Sequence, residues 1–136
     1  MKGEGVFGKF FIKTEEVWYS IFRVIVGLVF LLHGLSKFGV FGKSPTPLLS
    51  LMGAAGTIEI VAGILIILGL WTRLAAIISI VEMSAAWFMA HAPKGWNPLF
   101  NGGEAALLFF VIFLVLLVHG GGKFTIEHLI HKKEIF

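Results

Sequence analysis

The chain has 136 residues, 57% hydrophobic and only 14% charged, with a formal net charge of +3 and no cysteine. A soluble domain of this size carries about a quarter charged residues, so the composition excludes one and points to a single all-α membrane domain. The missing cysteines exclude disulfides, iron–sulfur clusters and c-type haem, and basic residues gathered mostly at the ends suit anionic lipid headgroups rather than nucleic acid.

No signal-like apolar core precedes the first apolar run, so no cleavable leader is expected. Residues 6–13 mix aromatics with Lys9 and Lys13 and read either as an interfacial helix or as a partly ordered tail. Four apolar runs follow, at about residues 18–38, 52–70, 74–91 and 103–119. Each has about 17–21 residues, enough to cross a ~30 Å hydrocarbon core as a helix. The alternation that a membrane strand requires is absent. Breakers separate the runs: Gly42-Lys43-Ser44-Pro45-Thr46-Pro47, the tight turn Trp71-Thr72-Arg73, and Pro93-Lys94-Gly95-Trp96-Asn97-Pro98 with Asn101-Gly102-Gly103. Gly120-Gly121-Gly122 stops the fourth run, and a short amphipathic piece, residues 125–132, closes the pattern. The predicted fold is an all-α, four-helix transmembrane bundle with short interfacial segments at both termini.

Four spans put both termini on one side with Arg73. That side holds Lys2, Lys9, Lys13, Arg73, Lys123, Lys132 and Lys133, against Lys37, Lys43 and Lys94 on the other. Basic residues stay inside, which places both termini of this multi-pass protein in the cytoplasm.

Ionisable residues inside the apolar runs are the strongest functional signal, because a charge in hydrocarbon costs at least ~2.5 kcal/mol even on insertion scales. Arg23, Gly27, Phe30, Gly34 and Lys37 fall on one helical stripe, and two glycines on such a seam admit a neighbouring backbone. His33 lies on the flank of that stripe. Gly56, Glu59 and Gly63 share a face of the second run, and Ala75, Ser79, Glu82, Ala86 and Met89 share one of the third. Glu104 opens the fourth run on the face of Leu108, Val111, Val115 and Val118.

Depth sorts these groups into two layers. Arg23 and Glu82 fall in the inner half and read as a structural ion pair between runs one and three. His33, Lys37, Glu59 and Glu104 fall in the outer half. A quinone head needs donors near its carbonyls and a route for protons, and these four groups supply both. They are the candidate catalytic residues, with His33, Lys37 and Phe30 the candidate quinone contacts. The residues alone leave a second reading open, in which Lys37 pairs with a glutamate and His33 with a carbonyl. No metal set with diagnostic spacing is present, and the histidines are poorly placed for bis-His haem, so neither haem nor metal is expected. Trp87, Trp96 and Phe100 read as interfacial anchors.

Arg23-x3-Gly27-x2-Phe30-x2-His33-Gly34-x2-Lys37, Glu59-x3-Gly63, Leu68-Gly69-Leu70-x-Thr72-Arg73 and Asn101-Gly102-Gly103-Glu104 resemble the motifs of the DoxX family. The resemblance covers roughly residues 20–125. It implies a small four-span inner-membrane protein, with thiosulfate:quinone oxidoreductase subunits among its relatives. The implied function is a quinone-linked oxidoreductase subunit, or a non-catalytic anchor for a redox or sulfur-handling partner. Homo- or hetero-oligomers, a soluble or membrane redox partner and the lipid bilayer are the implied partners, and the chain holds no evident redox centre of its own.

Overall fold

The computed structural model describes residues 5–132. Lys2 and Lys133, counted above for topology, lie outside the described residues. Helices occupy the apolar runs: α1 (Val6–Lys13), α2 (Glu15–Lys37), α3 (Leu51–Leu68), α4 (Thr72–Ala86), α5 (Pro98–Asn101), α6 (Glu104–His119) and α7 (Ile126–His131). Between α4 and α5 the chain continues through a π-helical turn, Trp87–His91, and a 3-10 turn, Ala92–Lys94. No strand occurs among the described residues. Among the described residues three helical stretches are long and apolar enough to cross a membrane, α2, α3 and the continuous Thr72–Lys94. The fourth, α6, is apolar but has 16 residues, about 24 Å at the usual helical rise.

Backbone contact holds α2 to α3. Gly27 and Gly34 are one heptad apart on α2, as are Gly56 and Gly63 on the antiparallel α3. A Cβ on Gly27 would lie 2.8 Å from the Gly63 carbonyl oxygen, and one on Gly34 would lie 2.7 Å from that of Gly56. The glycines therefore set one antiparallel register at two points. The stripe Arg23, Gly27, Phe30 and Gly34 is buried along this seam.

The turn into α4 follows from Gly69. It ends α3 in the left-handed region (φ 66°), with its N–H donating to Ile66 O and that of Leu70 donating to Leu65 O. Glycine adopts this conformation without steric cost, and it satisfies carbonyls that the helix end leaves unpaired. Trp71 then enters α4 at φ 46°, an uncommon conformation for a bulky residue.

α6 packs on α4 and closes the bundle through large side chains. Ala106, Phe109, Phe113 and Leu116 are its buried residues. Phe30 sits between Phe109 and Phe113 at ring separations of 5.2 and 4.7 Å. Leu108, Val111, Val115 and Val118, which share a face with Glu104, are exposed. α6 is apolar all round, so periodicity could not choose between its faces.

The start of α2 and the end of α6 lie at the same end of the bundle. The Tyr19 hydroxyl donates to Gly120 O, and Lys123 Nζ is 3.2 Å from Glu16. Just outside that end, α1 buries none of its residues and exposes Phe7, Phe10 and Phe11 beside Lys9 and Lys13, the composition of a helix lying in the interface.

Filling the glycine seam should destabilise the fold. Gly63→Val is expected to cost about 1–3 kcal/mol through overpacking and to lower the thermal unfolding midpoint in detergent. Gly5→Ala, where nothing lies within 4 Å, should leave the midpoint unchanged.

Candidate functional site

Lys37 and Glu59 form an ion pair across the α2–α3 seam. Cβ bonds tilt toward a helix N-terminus. Lys37, the last residue of α2, therefore runs back into the bundle, while Glu59 on antiparallel α3 leans out to meet it. Lys37 keeps 22% of its side chain exposed, whereas Glu59 keeps 3%.

Glu82 completes this site from α4. It is 8% exposed, and neither carboxylate oxygen has a hydrogen-bond partner among the described residues. Glu59 and Lys37 are the charged groups that act on it electrostatically. Chain geometry explains the meeting. Glu59 lies ten residues before Gly69 and Glu82 ten residues after Thr72, so both stand about 15 Å from the turn by helical rise. The two glutamates share one depth, and the expected separation into outer Glu59 and inner Glu82 does not hold. Ser79, one turn from Glu82, is also buried with an unpartnered hydroxyl.

The expected ion pair between Arg23 and Glu82 is not formed. Arg23, 2% exposed, donates to the backbone carbonyls of Ile66, Ile67 (2.7 Å) and Phe124 (2.8 Å). The end of α3 presents unpaired carbonyls at the negative pole of its dipole, and a cation satisfies them well. That end lies level with Arg23, while Glu82 stands deeper. Arg73 repeats the arrangement on another helix: its Nε donates to Leu117 O at 3.1 Å, near the end of α6.

Three further expected site residues lie outside the cluster. His33 is exposed on the flank of α2, its ring edge-to-face with that of Phe109 at a centroid separation of 5.3 Å. Glu104 is exposed at the first turn of α6, where the helix dipole favours an acid. Among the described residues neither forms an ion pair or side-chain hydrogen bond with Lys37 or Glu59, although His33 stands one helical turn before Lys37 on α2. Phe30 is fully buried among aromatic rings, which makes it core and removes it as a ligand contact.

The segment between α4 and α6 carries polar structure that spacing did not disclose. The Asn101 side chain donates to Gly95 O at 2.7 Å and accepts from the Gly103 N–H at 2.7 Å. His91 Nδ1 lies 3.2 Å from Asn101 O. The Asn101-Gly102-Gly103 run thus folds the loop onto the end of α4. Trp87, four residues after the buried Met83, is buried, whereas Met89, read on the face of Glu82, is exposed within the π turn.

Two clefts stand out at the opposite end of the bundle. One, of about 450 Å³, is lined by residues including Glu16, Trp18, Tyr19, Phe22 and His119. The other, of about 370 Å³, has Arg23 and Lys123 in its wall. Neither includes a residue of the Lys37–Glu59–Glu82 cluster.

A family model described as DoxX matches residues 19–92. An uncharacterized protein of Haemophilus influenzae is 41% identical over 129 residues, covering 89% of this chain and 96% of that protein. An uncharacterized membrane protein of Mycobacterium tuberculosis is 29% identical over 140 residues, 82% of this chain and 80% of that protein. A Bacillus subtilis protein named "Putative oxidoreductase CatD" is 33% identical over 82 residues, 54% of this chain and 60% of that protein. No solved structure matches the chain.

Breaking the buried pair on one side leaves a lone charge. Lys37→Met should destabilise the protein by about 3–5 kcal/mol, while Lys37→Met with Glu59→Leu should recover most of that loss. Unfolding in a mild detergent, compared across wild type, the two single variants and the double variant, measures the coupling. A double variant no more stable than Lys37→Met would refute the pairing.

Proposed function

The chain belongs to the DoxX family of membrane proteins, and on that premise we propose that it is the membrane subunit of a quinone-linked oxidoreductase whose proton-handling centre is Lys37, Glu59 and Glu82. One observation carries this reading: Glu82 is buried beside an ion pair yet has no hydrogen-bond partner of its own among the described residues. A buried polar group left unpaired costs about 1–3 kcal/mol, and more if it is charged. Arg23, by contrast, makes three hydrogen bonds. An unpartnered carboxyl at mid-span is what a proton-exchanging group requires.

The donors are graded from surface to interior. His33 is exposed, Lys37 partly exposed, and Glu59 and Glu82 buried. His33 and Lys37 stand one helical turn apart, so side chains on that flank are neighbours. A quinone head arriving from the lipid meets two donors there, with two carboxylates behind them. Reduction of a quinone to a quinol takes up two electrons and two protons. The carboxylates exchange the protons, and the electrons come from a redox partner, since these residues carry no redox group. The relative whose name calls it an oxidoreductase supports the reaction class.

In this reading α6 crosses the bilayer with the three longer stretches as a four-helix transmembrane bundle. The protein lies in the plasma membrane with both termini in the cytoplasm, by the distribution of its basic residues. It works as a homo- or hetero-oligomer and takes its electrons from a soluble or membrane redox partner. A second reading, a non-catalytic organising subunit, is favoured by Arg23 and Arg73, charges whose partners include helix-end carbonyls.

Purified protein in lipid nanodiscs, titrated with a menaquinone or ubiquinone analogue and supplied with an electron donor, separates the two. Glu82→Gln is expected to lower turnover about 100-fold without lowering the unfolding midpoint. Unchanged binding and turnover in Glu82→Gln and Lys37→Met would overturn the quinone reading. Loss of stability alone in Lys37→Met would favour the organising subunit.

A further inference from the structure

Arg23 is a buried cation without an acid. Its guanidinium meets three backbone carbonyls, its Nε is buried without a partner, and no carboxylate among the described residues lies within ion-pair distance. It lines the 370 Å³ cleft between α2, the end of α3 and the segment leading into α7. Lys123 stands at the rim of that cleft, 69% exposed, and its ion pair is with Glu16, itself 40% exposed. Such surface pairs contribute little and exchange readily, so Lys123 is available to a stronger anion. Apart from Thr125 the remaining walls are apolar, with Val24, Ile67, Leu68 and Leu129 among them, and no acidic residue among the described ones lines the cleft.

We propose that this cleft binds an anionic phospholipid of the leaflet at the terminal end of the bundle. Its phosphate would sit at Lys123 over the buried charge of Arg23, and its acyl chain would follow the apolar wall. Three features select this ligand. Two cations without a lining acid demand an anion, the apolar walls demand a hydrocarbon tail, and the position beside the end of α3 is at headgroup depth. The neighbouring α7 exposes Leu129 and Ile130, which extends the apolar surface a tail would follow. Bound phosphate would also give Arg23 the counter-charge that its carbonyl partners supply only in part, which ties lipid binding to stability.

The test uses the full chain purified in a neutral detergent. Phosphatidylglycerol should raise the unfolding midpoint saturably, and native mass spectrometry should detect one tightly held lipid. Phosphatidylcholine with the same tails and inorganic phosphate should each do neither. Because Arg23→Gln can fail to fold, the exposed Lys123 carries the comparison. Lys123→Glu should weaken the apparent affinity about tenfold, while Lys43→Glu, at the opposite end of α2, should leave it unchanged. Equal weakening by the two variants would mean general attraction to charge and overturn the site. Stabilisation by inorganic phosphate alone would overturn the assignment to a lipid.

Discussion

Four glycines put the backbones of α2 and α3 in contact, and the charge chemistry of the protein depends on that contact. With Gly27 against Gly63 and Gly34 against Gly56, the helices lie too close for large side chains between them. Polar side chains then span the seam at its two ends. Arg23 reaches the last carbonyls of α3 at one end, and Lys37 reaches Glu59 toward the other. In lipid, where no water is present to satisfy polar groups, such reach decides whether a charge is tolerated. A wider separation would leave Arg23, Lys37 and Glu59 buried and unpaired together.

The charges divide by how completely the fold satisfies them. Arg23 meets the end of α3 and Arg73 meets that of α6. Each cation lies where a helix dipole is negative, and each ties helices together. Lys37 and Glu59 satisfy each other. Glu82 stands apart: it is as buried as its neighbours, lies at the depth of Glu59, and has no hydrogen-bond partner among the described residues. The fold contains the means to pair buried charges and does not use them on this one. That contrast is the basis for assigning it to chemistry rather than to assembly.

Much of this was legible in the sequence, and the failures share a cause. Periodicity found the packing stripe of α2 and the small-residue face of α3, because glycines and charges stand out there against aliphatic residues. On α6, where every face is apolar, it named no packing face, and Glu104 lies with the exposed Leu108, Val111, Val115 and Val118. It failed across the π turn at Trp87–His91, where Met89, read on the face of Glu82, is exposed. The pairing of Arg23 with Glu82 was read from depths measured along runs with uncertain ends. Measured instead from the turn at Gly69, those depths bring Glu59 and Glu82 together. Backbone carbonyls as partners for arginine leave no mark in a pattern of side chains, so the capping roles of Arg23 and Arg73 were visible only in the structure.

The most direct measurement of the central claim is reaction with a hydrophobic carbodiimide, which enters the bilayer and modifies carboxyl groups that hold a proton there. Treated membranes would be digested and the modified glutamates mapped by mass spectrometry. Glu82 as the principal modified site, protected when a quinone analogue is present, is the result expected of a proton-exchanging centre open to quinone. Modification confined to exposed acids such as Glu104, or labelling of Glu82 that the quinone analogue does not alter, would contradict it.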